Sequence, residues 1–330
     1  MEKNKILNKQ IKDLKEITVY NNSEEKMNFI LTLKNGNLVI LKGKNNILSI
    51  YDPITFKMIQ SFYFPKRWQM ISLIYQFENE NLIIGGRNEI ILIIKLSENN
   101  KEYSIIQEII LDYNDDFLLG AFEFNNFLII SGSGIKYIFQ KNEKNLYIKS
   151  QEIYESNYTN VFLKLNENCF IIPNWNKQSI EFYGIKNNKI EIVKIKKNTP
   201  VIDENNIITL DKNLFCISGI NDNDNYVNKL FFISIDNLEI IYQKIFDKKE
   251  ISGLLRINDE KFLITLNYLN DKKNIGEIIE YKFNFEKNIL EEISNIIAHN
   301  NRIIHIDYWS KKNKHGIITQ GWDNKIKIWE

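Results

Sequence analysis

HNNRIIHIDYWSKKNKHGIITQGWDNKIKIWE, residues 299–330, decides how this chain folds. Short apolar runs, RIIHIDYW, HGIIT and KIKIW, are separated by the polar stretches SKKNK and GWDN. Such alternation is the mark of strands that bury one face, and it lacks the 3.6-residue period of a helix. The tight turns carry Asn and Asp, which tolerate positive φ or bond their own backbone.

The same unit recurs upstream. Its second strand is the clearest register mark: NLVI at Asn37, NLII at Asn81, FLII at Phe127, CFII at Cys169, LFCI at Leu214, KFLI at Lys261 and HGII at His315. Aligned on Leu38, Leu82, Leu128, Phe170, Phe215, Phe262 and Gly316, successive spacings are 44, 46, 42, 45, 47 and 54 residues. The preceding turns, LKNGN, FENEN, FNN, LNEN, LDKN and INDEK, are rich in Asn, Asp and Gly. Seven units of strand, hairpin and strand predict an all-β chain of repeats.

The closing stretch TQGWDNKIKIWE resembles the final repeat of a WD40 β-propeller, whose blades run about 40–45 residues. The resemblance implies a seven-bladed propeller of four-stranded antiparallel blades. It also implies a buried hydrogen-bonded set of His299, Thr319, Asp323 and Trp329, structural rather than catalytic, because buried polar groups are costly unless all are paired. Blade one offers Tyr51 and Asp52 where Trp-Asp would stand, and SGSGIKYIF (131–139) looks like a shortened GWDNKIKIW. Blades two, four, five and six lack the signature dipeptides. The expected organisation is a charged extension over 1–13, then one propeller over 14–330, with blades near 27–64, 70–111, 118–154, 160–197, 206–246, 251–297 and 299–330. The last is one strand short, and LKEITVY (14–20) is expected to supply that strand and cover an open sheet edge.

Composition sets broad limits. Of 330 residues, 44% are hydrophobic, enough for a large core, and 43 Lys and Arg against 42 Asp and Glu leave a net charge of +1. That balance gives no global electrostatic footprint for nucleic acid or an anionic membrane. Cys169 and Cys216 sit in apolar runs and read as buried reduced thiols. The opening MEKNKILNKQIKDLK has no apolar signal core, and no apolar run approaches the ~20 residues of a membrane helix. A cytoplasmic location is expected, with the nucleus as the alternative. Asn, Ile and Lys are abundant, which reads as coding bias from an AT-rich genome.

In that setting rare residues stand out. Only four arginines occur beside 39 lysines, and three of them, Arg67, Arg87 and Arg302, map to loops of one propeller face; so do Trp68, Trp175 and Trp322. An Arg among so many Lys points to a place where the flat bidentate fork matters, and Trp and Arg are typical interface anchors. With blade seven beside blade one, Lys42, Lys44, Lys66, Arg67, Trp68, Arg87, Arg302 and Trp322 form one expected arc, suited to an acidic or phosphorylated peptide. Asp112, Asp115 and Asp116 lie near the start of blade three; Asp222 and Asp224 belong to GINDNDNYVNK, which lacks the glycine turn and distal Glu of a calcium loop and reads as solvated.

Three dispersed histidines make no metal site, and no phosphate loop, nucleophile elbow or dinucleotide fingerprint is present. No catalytic residue, cofactor or metal is expected. The reading is a non-enzymatic scaffold for other proteins, a single copy within a hetero-complex, with neither nucleic acid nor membrane insertion. The alternatives are a substrate receptor of a ubiquitin ligase, for which neither an F-box nor a Trp-Asp-x-Arg motif is visible, and a propeller enzyme.

Overall fold

The computed structural model describes residues 14, 16–21, 27–42, 47–64, 71–86, 90–111, 118–132, 134–154, 161–174, 177–197, 201–211, 213–221, 227–268 and 275–330. They form seven four-stranded antiparallel sheets, the blades of a seven-bladed β-propeller, spanning 27–63, 71–110, 120–154, 163–196, 201–246, 249–299 and 303–329. In the first six, strands pair in chain order. The seventh runs Glu16–Asn21, Lys325–Trp329, Lys314–Gly321, Ile303–Lys311, so its fourth strand comes from the other end of the chain.

Each register mark lies on the second strand of its sheet, and those strands are where apolar side chains are most completely buried. Leu38, Val39 and Ile40, or Leu82, Ile83 and Ile84, are apolar on both faces because a sheet covered on both sides needs no polar alternation. Several boundaries differ from the sequence reading by a few residues. The fifth sheet begins at Val201, because the strand Val201–Asp211 continues through an irregularity between Ile202 and Ile207. The sixth runs to His299, which pairs with Gly276; a Cβ at Gly276 would press on Asn301 O and Ile303, so glycine permits that close pairing. The closing strand is Glu16–Asn21, while Leu14 packs with Trp329 in the apolar cluster of the sixth and seventh sheets. Residues 1–13 lie outside the described residues.

The abundant Asn has structural work in the turns. Asn35, Asn79, Asn142, Asn166, Asn237 and Asn258 each accept, through Oδ1, the backbone N–H two residues on, at 2.8–3.2 Å. Asn125, Asn145, Asn188, Asn288 and Asn324 take positive φ between 49° and 60°. These are the two ways Asn stabilises a tight reversal.

The described residues fall into two compact units: 25–52 with 57–197 carries sheets one to four, and 1–24, 53–56 and 198–330 carries sheets five to seven. Within each, the core lies between consecutive sheets. Leu82, Ile84 and Leu92 of the second sheet meet Val39, Leu41 and Leu48 of the first, and Phe232 stacks on Phe283 across the fifth and sixth at 4.5 Å. Each fully buried Leu, Ile or Phe contributes about 1.5–3 kcal/mol.

Carboxamides cross these apolar seams and pair with backbone as a peptide group would. Gln107 donates to Tyr147 O at 2.6 Å and accepts Tyr147 N–H at 2.9 Å; Gln151 does the same to Ile190 at 3.2 and 2.8 Å. Asn267, fully inside, donates to Ile303 O at 3.1 Å and accepts Ile303 N–H at 2.8 Å, tying the sixth sheet to the seventh. The thiols are less uniform than their sequence context implies: Cys216 is buried, but Cys169 is only half-buried, and burial raises both thiols' pKa.

Two outcomes follow. Replacing Asn267 by Leu strands the buried N–H and C=O of Ile303 and should cost about 2–4 kcal/mol in urea unfolding; a loss below about 0.5 kcal/mol would mean water replaces the amide. Deleting residues 1–21 exposes the edge of Lys325–Trp329 and should give aggregation or non-cooperative unfolding, against a soluble truncation with an unchanged melt if that edge needs no cover.

Candidate functional site

His299 ends the sixth sheet, Thr319 lies on the second strand of the seventh, Asp323 in the turn after it and Trp329 on the third. The fold brings all four together. Trp329 Nε1–H donates to Thr319 Oγ1 at 3.0 Å, Thr319 Oγ1 lies 2.9 Å from His299 Nε2, and His299 Nδ1 lies 2.9 and 3.1 Å from the Asp323 carboxylate oxygens. A single proton arrangement gives every atom a partner: the Thr319 hydroxyl accepts from Trp329 and donates to Nε2, and Nδ1–H donates to Asp323.

Glycine makes the room for this chain of hydrogen bonds. A Cβ at Gly321 would collide with His299 Nδ1 and Asp323 Oδ1, and one at Gly316 with the carbonyl of Trp329. The turn is set by Asn324 at φ 58°, and Asp323 Oδ1 also accepts Lys325 N–H at 3.2 Å. Burial pushes the Asp323 carboxyl up, but the hydrogen bond and electrostatic attraction of His299 and the backbone N–H groups of Lys325 and Asn300 outweigh it, so its pKa lies below the ordinary value. His299 is 1% exposed and both ring nitrogens are engaged, leaving no imidazole atom for a substrate. The set clamps His299, at the end of the sixth sheet, to the second and third strands of the seventh.

The accessible chemistry lies one residue away. Trp322 N–H donates to Arg302 O at 2.8 Å, joining the loop before the seventh sheet to the turn after its second strand. On that brace the Arg302 guanidinium sits 5.0 Å from the Trp322 ring centroid, and the indole is 55% exposed. Arg302 Nη1 lies 3.5 Å from Glu250 Oε2, on the first strand of the sixth sheet. A stacked guanidinium whose edge meets a carboxylate is an arrangement able to receive a second carboxylate or a phosphate. Glu250, 52 positions before Arg302, has no local sequence signal that would connect the two.

The other arc residues fall outside what the structure describes of side chains. Lys42 ends the second strand of the first sheet, and its side chain is outside what is described; Lys44, Lys66, Arg67, Trp68, Arg87 and Trp175 lie outside the described residues, as do Asp112, Asp115, Asp116, Asp222 and Asp224. The fourth arginine, Arg256, serves the fold: it reaches Thr209 Oγ1 at 3.0 Å, pairs with Asp259, and its carbonyl accepts the Tyr308 hydroxyl. Among the described residues, no cluster of His, Cys, Asp and Glu could hold a metal ion, and no helix is long and apolar enough to cross a membrane.

Truncating Trp329 to Ala should cost roughly 3–5 kcal/mol, whereas Trp329→Phe, which keeps most of the ring and loses the N–H, should cost about 1 kcal/mol. Equal costs would place the stability in the hydrogen bond alone. Because the folded pKa of Asp323 is depressed, its contribution is present above the unfolded value near 4 and is lost as pH falls through the folded value. The stability difference between the natural chain and Asp323→Asn should therefore shrink as pH falls below the unfolded value near 4; a constant difference would show that the carboxylate charge is not what stabilises.

No protein-family model matches this sequence, and no curated protein sequence matches it. Solved structures do match in shape. One chain of a mitotic checkpoint complex superposes with a TM-score of 0.72 at 9% identity, covering 96% of this chain and 91% of that one. Sqt1 of Saccharomyces cerevisiae gives 0.63 at 10% identity over 90% and 82% of the two chains, and the WD40 domain of Toxoplasma gondii coronin 0.64 at 10% over 98% and 87%. Identities this low speak for fold and leave activity open. The chain has the fold of WD40 domains, a seven-bladed β-propeller.

Proposed function

We propose that this chain is a non-enzymatic scaffold, a single propeller within a hetero-complex of the cytoplasm or nucleus, that grips acidic or phosphorylated peptide segments of other proteins on the loop face carrying Arg302 and Trp322. The observation that carries this reading is the exposed Trp322 indole with Arg302 stacked on it and its fork turned to Glu250. An incoming carboxylate or phosphate would take the place of Glu250 on the fork while an apolar neighbour packs on the indole; exposed Trp and Arg are the residues that dominate interface energetics. Arg67, Arg87, Trp68, Trp175, Lys42, Lys44 and Lys66 extend the same face in the sequence reading. One chain of like fold was solved as part of a mitotic checkpoint complex, the kind of setting proposed here.

The test compares affinity capture by the natural chain with that by Arg302→Ala/Trp322→Ala, read by quantitative mass spectrometry. Partner recovery should fall by about tenfold or more while the thermal melt is unchanged, since neither side chain is in the core. In the opposite direction, Glu250→Gln removes the competing carboxylate and should tighten capture several-fold. Undiminished recovery with the double variant, or weaker capture with Glu250→Gln, would overturn the reading.

A further inference from the structure

Lys189–Lys196, KIEIVKIK, is the fourth strand of the fourth sheet and, among the described residues, pairs with a strand on one side only, Ser179–Lys186. An edge strand presents backbone N–H and C=O groups ready to pair with another chain. Its side chains are unusual for a water-facing edge. Ile192, Val193 and Ile195 are all exposed, Val193 at 55% and Ile195 at 45%, and Ile185 on the adjoining strand is exposed beside them.

Charge sets this edge apart from the others. From Ile185 to Lys197 there are five lysines, Lys186, Lys189, Lys194, Lys196 and Lys197, against one acid, Glu191. The corresponding strand of the sixth sheet, Ile289–His299, carries Glu291 and Glu292, and that of the third pairs Lys149 with Glu152 at 3.0 Å. Lys194 is exposed, with its ammonium 5.9 Å from the Phe182 ring centroid.

The protein also shows that the strand accepts a peptide-like partner. The Gln151 carboxamide already pairs with both the N–H and the C=O of Ile190, as a neighbouring strand would. Beyond that residue the register shifts between Tyr183↔Ile192 and Phe182↔Lys194, leaving Val193 as the extra residue of a bulge. Gln151 therefore covers the start of the strand, at Ile190.

We propose that this edge receives an extended acidic segment of a partner protein, which adds as a fifth strand: its backbone pairs along Ile192–Lys196, its carboxylates meet Lys189, Lys194 and Lys196, and its apolar residues cover Ile192, Val193 and Ile195. Lysines on an edge ordinarily discourage pairing between like chains. Here the same charges that repel a second basic edge select an acidic strand, while main-chain hydrogen bonds supply affinity. This edge belongs to the fourth sheet and the Arg302–Trp322 shelf to the seventh, so the two proposals rest on different residues and fail independently.

The probe is a fluorescein-labelled peptide of alternating Glu and Val, read by fluorescence anisotropy on the full chain. Two controls share its length: one with Lys in place of Glu, and one N-methylated at alternate amides, which keeps the side chains and removes strand pairing. The acidic probe should bind, the Lys version should not, and N-methylation should weaken binding by about tenfold or more. In the protein, Lys189→Glu/Lys194→Glu/Lys196→Glu should weaken the acidic probe by at least about tenfold with an unchanged melt, while Arg302→Ala leaves it unaffected. Failure to bind the acidic probe, equal binding of its N-methylated form, or an indifferent triple variant would overturn the proposal. So would two other results: self-association of the chain abolished by the triple variant, which gives the edge to a second copy, or binding to phosphatidylserine vesicles tighter than to the peptide.

Discussion

Apolar contact between consecutive sheets is the constraint on which the rest depends. A four-stranded sheet of this composition cannot bury both faces by itself, so Leu82, Ile84 and Leu92 need Val39 and Leu41 of the sheet before them, and Phe232 needs Phe283 of the one after. Stability built this way is close to a series of interface contributions between neighbours. It has a polar corollary: any group that crosses a seam must be paired there. The carboxamides of Gln107, Gln151 and Asn267 meet that demand by imitating a strand, and the chain from Trp329 to Asp323 meets it with side chains alone.

This division of labour separates what holds the protein together from what is offered to partners. The clamp is closed off: its imidazole has no free nitrogen, and Gly316 and Gly321 are there because the neighbouring atoms leave no space for a side chain. The adjoining turn is braced by the Trp322 N–H on Arg302 O, and the same turn presents an indole to water. A rigid interior thus holds Arg302 and Trp322 in fixed geometry, which reduces the ordering cost of binding. The fourth strands enter the seams through side chains such as Phe62, which meets Tyr103 edge-on at 5.1 Å, and carboxamides reach across to the backbone of Tyr147 and Ile190.

How much of this could be read beforehand depends on distance along the chain. The seven repeats were legible because second strands are apolar on both faces and are preceded by Asn-rich turns, a local signal at a regular spacing. His299, Thr319, Asp323 and Trp329 were legible because they sit within one short motif. Glu250 was not, because it meets Arg302 only through the pairing of two sheets. Asn267 reads as one more polar residue in a strand, and only the position of Ile303 gives it a task. The Asn content, set down to coding bias, also serves the turns at Asn35, Asn142 and Asn258, where Oδ1 takes the place of a missing backbone partner. KIEIVKIK was legible as a strand but not as an edge, since that depends on which strands lie beside it.

The central claim is that stability resides in the seams between sheets and leaves the fourth strands and loops available. Residue-resolved hydrogen–deuterium exchange tests it most directly, because amide protection ranks segments by the free energy of opening them. The account predicts the slowest exchange in the second strands, Leu82–Gly86 and Lys314–Gly321 among them, with the outer residues of Lys189–Lys196 and Met58–Tyr63 far faster. Protection of the fourth strands equal to that of the second strands would contradict it.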